Sequence, residues 1–243
     1  MSPGVSVTFS AMSDFGPPFS LRGVSASGCL IAVEGLDGGG KTTIVDALAL
    51  AIERCGFSVV KTRIPSTAFR ATQLFRDIHD PAADPPDSLA FEVSYMADRI
   101  QHCRSVIDPA LRKGAVVISD RYLFSSIGSL LLKRPELASA ALQAVCDAAW
   151  FSDLCRYLAT PHIWLLLSAQ ADVLVRRLEA RNDPNDSGID PEHYQILQER
   201  FRHLATRQGL IEIEASGPVE RTLSKCMETI APFLRGLRAR HGN

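Results

Sequence analysis

The stretch Gly35-Leu36-Asp37-Gly38-Gly39-Gly40-Lys41-Thr42 gathers four glycines, an ammonium and a hydroxyl into eight residues. It matches G-x-x-x-x-G-K-[ST], the pattern of a loop that wraps an anion. Glycines let main-chain N–H groups close round a phosphate, and a following helix adds the positive end of its dipole. Lys41 supplies a full charge and the Thr42 hydroxyl can ligate Mg²⁺. A chance match in a chain of 243 residues has a probability on the order of one in a hundred. A second charged group follows the apolar run Ala115–Ser119: Asp120, Arg121 and Tyr122. A carboxylate at the C-terminal end of a neighbouring strand is placed to hold Mg²⁺ directly or through water. Arg121 would put a cation in the same crevice, where a second anion could bind. A loop of this kind serves ATPases, GTPases, kinases and nucleotide sensors, and the base-reading N-K-x-D sequence of a GTPase is absent.

Such groups need a sheet to carry them. Short apolar runs alternate with longer helical patterns from Cys29 onward: Cys29–Val33, Phe57–Thr62, Ala115–Ser119, His162–Ser168 and Leu210–Glu214. Five buried strands separated by helices predict an open, doubly wound parallel sheet. After Lys41, Ile44, Leu48, Ile52 and Cys55 recur at three- and four-residue spacing, and Gly56 follows as a left-handed stop. The order strand, glycine loop, helix is the one the anion loop requires. A long helical region is predicted over Ser88–Lys113, broken or kinked at Pro109. Further helices are predicted over Pro135–Trp150, Ala171–Arg181, Pro191–Arg207 and Val219–Arg240, and Asn182–Pro191 reads as a loop.

Composition bounds the rest. Apolar residues make up 46% and charged residues 22% of the chain, an ordinary globular balance. No run reaches the ~20 apolar residues of a membrane span. The 26 basic against 27 acidic side chains argue against a surface for a nucleic-acid polymer. Within that balance 21 arginines stand against 5 lysines, so most positive charge sits on planar forks suited to carboxylate or phosphate. The six cysteines form no C-x-x-C pair, which fits a reduced, cytoplasmic chain. Residues 1–27, rich in Ser, Gly and Pro, read as a disordered extension, and 28–243 as a single domain.

The set Glu34–Thr43, Thr62–Thr67, Tyr95–Arg99 and Asp120–Ser126 resembles the thymidylate kinases, which transfer the γ-phosphoryl group of ATP to dTMP. The resemblance spans about Leu30 to Leu234 and implies a three-layer P-loop kinase fold. It implies ATP held by Gly35, Leu36, Asp37, Gly38, Gly39, Gly40, Lys41, Thr42 and Thr43, and Mg²⁺ held by Thr42 and Asp120. Arg63 and Arg121 would hold the acceptor phosphate and Asp37 would orient the acceptor near its sugar. Tyr95 and Arg99, four apart on one helix face, would stack on the base and donate to its O4 edge; on bare sequence they read as core packing and a solvated charge. Ser126 and Ser129 fall in the acceptor segment. The glycine loop carries no arginine, so a lid at about 182–191 is expected to bring one, from Arg181 first, Arg177 second, or Arg176. Catalytic roles thus fall to Lys41, Asp37, Arg121 and Arg181, and the resemblance implies a homodimer.

The chain departs from the family pattern at three places. The usual R-E-P-G-G-T is Arg63-Ile64-Pro65-Ser66-Thr67, the aromatic expected three after Ser126 is Ser129, and the lid is short. These departures bear on the acceptor, leaving dUMP, UMP, a modified nucleotide or thymidine as alternatives to dTMP.

Overall fold

A computed structural model describes residues 20–24, 27–80, 83–84, 87–124, 149–181, 191–192, 194–195, 198–199, 201–202 and 209–241. Five strands form one parallel sheet: β1 (Cys29–Glu34), β2 (Val59–Arg63), β3 (Val116–Asp120), β4 (Ile163–Ser168) and β5 (Ile211–Glu214), in the order β2-β3-β1-β4-β5. All five predicted strands are present, their limits displaced by at most two residues. β1, β3 and β4 are buried along their whole length, as continuous apolar runs in a sheet covered on both faces must be.

The period-two alternation divides the core. Leu30, Ala32, Val117, Trp164 and Leu166 face one hydrophobic cluster, and Ile31, Val33, Ile118, Leu165 and Leu167 face the other. The second face is covered by α1 (Lys41–Arg54), through Ile44, Leu48 and Ile52, together with the C-terminal helix. The first face is covered by α4 (Ser88–His102), α5 (Asp108–Arg112) and α7 (Ala171–Arg181). Two short helices, α2 (Thr67–Arg70) and α3 (Gln73–His79), connect β2 to α4; α6 (Ala149–Cys155) precedes β4, and α8 (Val219–His241) ends the chain. No helix among the described residues is long and apolar enough to cross a membrane.

The long region is helical from Ser88 through Arg112 without a break at Pro109, and it widens just upstream of it. Residues Cys103–Ile107 wind as a π turn, with Asp108 N–H donating to the Cys103 carbonyl. Pro109 then occupies the first turn of α5, directly after the π turn. Helices α2 and α3 were not expected; Ser66 and Thr72 cap them by accepting from Phe69 N–H and Phe75 N–H. Part of the segment expected to be disordered is held in place. Arg22 exchanges main-chain hydrogen bonds with Leu158 and Thr160 and pairs with Asp108 at 2.7 Å. The predicted helix over 135–150, apart from 149–150, and the lid up to residue 190 lie outside the described residues.

Candidate active site

Register brings the chemistry together. Val33 pairs with Asp120, and Arg63 pairs with Asp120 on the other side, so the C-terminal ends of β1, β2 and β3 lie side by side. The order of the sheet reverses at β1 and β3, and ligands of open α/β sheets bind in the crevice outside such a switch point.

The glycine loop closes over this end. A Cβ at Gly35 would meet the Leu167 carbonyl oxygen at 2.5 Å, and one at Gly38 the Leu174 carbonyl oxygen at 2.6 Å; both glycines also have positive φ. Gly40, left-handed, starts α1 with no side-chain cap, so the first-turn N–H groups face the loop for an anion. Beneath them Lys41, 5% exposed, donates from Nζ to the Leu36 carbonyl at 2.6 Å and stands 3.7 Å from Asp37 Oδ1. Burial and the nearby Arg121 bring its pKa down to about 8, against the opposing pull of Asp37, Asp120 and Glu34. Above that pH the empty site holds a neutral amine, whereas a bound polyphosphate favours the ammonium. Polyphosphate binding at pH 9 is therefore expected to take up a proton and at pH 7 to take up almost none. Calorimetry in buffers of different ionisation enthalpy measures this; equal uptake at both pH values would refute it.

Thr42 Oγ donates to Asp120 Oδ2 at 2.7 Å. The other Asp120 oxygen, Oδ1, is buried and makes no hydrogen bond among the described residues. A carboxylate oxygen left open beside a threonine hydroxyl fits Mg²⁺, which takes one or two protein ligands and fills its shell with water and phosphate. The two residues assigned to the metal by sequence are thus in contact.

Arg121 follows on the same turn. Its backbone is left-handed, with φ 73°, and its guanidinium pairs directly with the Asp37 carboxylate. Burial opposes its charge, but Asp37 and Asp120 more than offset this and hold it above the ordinary arginine value. Arg63 lies 3.7 Å from Asp120 and is 42% exposed, half-turned toward solvent. Burial lowers its pKa, with Asp120 opposing and Arg121 and Arg70 adding to the decrease.

Tyr95 and Arg99 do share a face, with the guanidinium carbon 4.0 Å from the ring centroid. The solvated arginine read from bare sequence is wrong: Arg99 is fully buried. Its Nε and Nη2 donate to the Tyr122 and Leu123 carbonyls at 3.1 and 3.2 Å, and Nη1 is 3.9 Å from Glu92. Tyr95, 3% exposed, packs edge-on against Phe69 and tilted against Phe91. The core-packing reading of Tyr95 thus describes its surroundings in this state of the chain.

A cavity of about 470 Å³ opens over the glycine loop. Asp37, Arg63, Arg121, Arg177 and Arg181 line it, as does the Ala215–Val219 connection between β5 and α8. Arg177 bridges two of these parts, donating to the Ala215 carbonyl at 2.9 Å and approaching the Gly38 carbonyl at 3.4 Å. Arg176 points away, 68% exposed and paired with Asp172. Ser126 and Ser129 lie outside the described residues. Sequence reasoning missed Glu34 as an acceptor of main-chain bonds, and Tyr194, whose hydroxyl donates to the Asp37 carbonyl at 3.1 Å. Glu34 had a visible signal, a carboxylate at the end of an apolar run; Tyr194 had none.

The thymidylate kinase family model matches residues 33–226. A thymidylate kinase of Cereibacter sphaeroides is 31% identical over 219 residues, covering 87% of this chain and 98% of its own. A probable thymidylate kinase of Thermococcus gammatolerans is 30% identical over 188 residues, 73% of this chain and 83% of its own. With the match extending from the end of β1 into α8, and with the glycine loop and the Asp120–Arg121 turn meeting at one sheet edge, the chain belongs to the thymidylate kinase family.

Proposed function

We propose that the chain transfers the γ-phosphoryl group of ATP to dTMP, giving ADP and dTDP. The observation that carries this reading is the register of β1, β2 and β3, which brings the glycine loop beside Arg121 and Arg63; the loop would take one polyphosphate and the arginines a second anion. Phosphoryl transfer between two anions is limited by bringing them together and stabilising charge, more than by covalent chemistry. Lys41 and the glycine-loop amides would hold the β- and γ-phosphates. Arg121 and Arg63 would hold the acceptor phosphate, for which Arg121 exchanges part of its contact with Asp37. Asp37 would turn part of its carboxylate to a sugar hydroxyl. Thr42 and Asp120 would hold Mg²⁺, which when bound neutralises charge on the phosphates. Arg177, already between the glycine loop and the β5–α8 connection, borders the nucleoside end of ATP, and Arg181 at the end of α7 is the first candidate to reach the transferring group. Closure over these groups would exclude water, which otherwise competes as acceptor.

Tyr95 and Arg99 would form the base end. A second copy of the chain is the expected partner, and Leu89 and Val93, exposed one turn apart on α4, offer an apolar face for it. Nucleic-acid polymers and membranes are not expected partners, and the five described cysteines, all free thiols, suit a reducing cytoplasm.

ADP production from MgATP with dTMP, dUMP, UMP, dCMP and thymidine tests the reading. Greatest kcat/KM with dTMP is expected; no acceptor-dependent ADP with any of them would refute the kinase reading, and preference for thymidine would make the chain a nucleoside kinase. In the same panel Ser129→Tyr is expected to raise the preference for deoxyribo- over ribonucleotides, by roughly tenfold if the added ring fills the space of a 2′-hydroxyl. An unchanged ratio would show that residue 129 does not face the sugar.

A further inference from the structure

The residue that bears most of the acceptor-phosphate chemistry, Arg121, sits in a conformation that a side-chain-bearing residue adopts rarely. At φ 73° it requires its surroundings to hold the turn. Three contacts do so. The Arg121 N–H donates to the Val33 carbonyl at 2.9 Å. The Arg121 carbonyl accepts from Ser119 Oγ at 2.6 Å. Immediately downstream, Glu34 Oε1 accepts from both Tyr122 N–H, at 3.1 Å, and Phe124 N–H, at 2.9 Å.

Glu34 is fully buried, where a carboxylate is unfavourable unless polar groups converge on it. It is the last residue of β1, and the glycine loop begins at the next position. The same three-residue stretch is gripped from the opposite pole by Arg99, which donates to the carbonyls of Tyr122 and Leu123. An acid takes its N–H groups and a base takes its C=O groups, so residues 122–124 cannot rotate without breaking charge-assisted bonds. The sheet already places β1 beside β3; Glu34 and Ser119 hold the backbone where the chain leaves β3, at the base of the Arg121 side chain.

We infer that Glu34, assisted by Ser119, is a positioning residue that fixes the left-handed turn at Arg121 and so sets affinity for the acceptor phosphate. The inference rests on the kinase reading for its kinetic consequence, but the clamp itself is observable without turnover. The full-length chain and its Glu34→Ala, Glu34→Gln and Ser119→Ala variants are compared by three measurements: dTMP kinetics at saturating MgATP, displacement of a fluorescent ATP analogue, and NMR amide exchange at Tyr122 and Phe124. Glu34→Ala is expected to lower kcat/KM for dTMP by at least about thirtyfold, since it removes two hydrogen bonds to a charged acceptor. Most of that loss should appear as a raised KM for dTMP. Affinity for the ATP analogue should stay within about threefold of wild type, and both amides should exchange at least about tenfold faster, because the bonds that close them are gone. Glu34→Gln keeps an oxygen for both N–H groups and should fall between Ala and wild type; Ser119→Ala should raise the dTMP KM by about tenfold through the loss of one bond. Unchanged dTMP kinetics in a folded Glu34→Ala, an equal loss of ATP-analogue affinity, or unaltered exchange at the two amides would overturn the inference. If Glu34→Ala does not fold, Ser119→Ala decides, and wild-type kinetics there overturn it. Absence of dTMP turnover in the wild-type chain would instead refute dTMP as the acceptor, while amide exchange would still report on the clamp.

Discussion

Arg121→Ala is expected to lower kcat/KM for the acceptor by about a thousandfold or more, with the fold retained. Three contributions add in this side chain. Its fork supplies several donors in one plane, a geometry matched to a phosphate that Lys cannot copy. It lies 12% exposed beside the glycine loop, so its charge acts with little screening by water. It also offsets the charge of Asp37, whose carboxylate faces the incoming anions. Arg121→Lys should therefore recover only a small part of the lost activity. Stability should move independently of activity: at φ 73° alanine keeps the backbone strain, whereas Arg121→Gly relieves about 1 kcal/mol of it. The glycine variant is expected to be as inactive as the alanine variant but to melt at a higher temperature. Steady-state kinetics and thermal denaturation of the two variants test this, and near-wild-type turnover in either would remove Arg121 from the acceptor site.

Lys41→Met should lower kcat by about a hundredfold to a ten-thousandfold, the range for losing one preorganised charge at a transferring phosphoryl group. Its effect on stability has the opposite sign from that of an ordinary core substitution. The ammonium is 5% exposed and its pKa is driven down to about 8, mainly by burial, so the folded chain holds a charge it would rather not hold. An unbranched apolar side chain of similar length removes that cost, and the variant is expected to melt at or above the wild-type temperature at pH 7. Asp37 gives up one cation in the exchange but keeps Arg121. A lower melting temperature would mean that the Lys41 bond to the Leu36 carbonyl closes the empty loop more firmly than burial opposes it.

The two substitutions differ in a way that the sheet explains. Lys41 lies on the first residue of α1, in a loop whose shape is dictated by its own glycines, so its role is local. Besides Ser119 beside it on β3, Arg121 depends on Val33, Glu34 and Asp37 at the end of β1. Only the β1–β3 pairing makes them neighbours.

The same distinction separates what could be read before folding from what could not. The apolar runs and the 3.6-residue spacing after Lys41 identified the strands and α1 because both periodicities arise from burial along one short segment. The loop from Gly35 to Thr42 was legible because its residue types stand at a fixed offset from a strand end, and the roles proposed for Thr42, Asp120, Arg63 and Arg121 came from the family resemblance; folding brings Thr42 against Asp120 and sets both arginines at the loop. Helices α2 and α3 were not, since four and seven residues carry little periodicity and their signal lies in Ser66 and Thr72 caps. The state of Arg99 was not legible either: nothing local indicates that a charged helix residue will be buried against the carbonyls of Tyr122 and Leu123. Among three lid-side arginines the sequence ranked Arg181 first and Arg177 second; packing sets both at the cavity over the glycine loop and turns Arg176 to Asp172.

By itself, then, the sequence determined the family, the sheet and the groups proposed for the chemistry, because these follow from residue type and short-range spacing. Tertiary structure alone decided which way those groups point. The backbone just after Arg121 is held by Glu34, 87 positions earlier in the chain than Arg121, and no short-range pattern can encode a contact that exists only after two strands have paired.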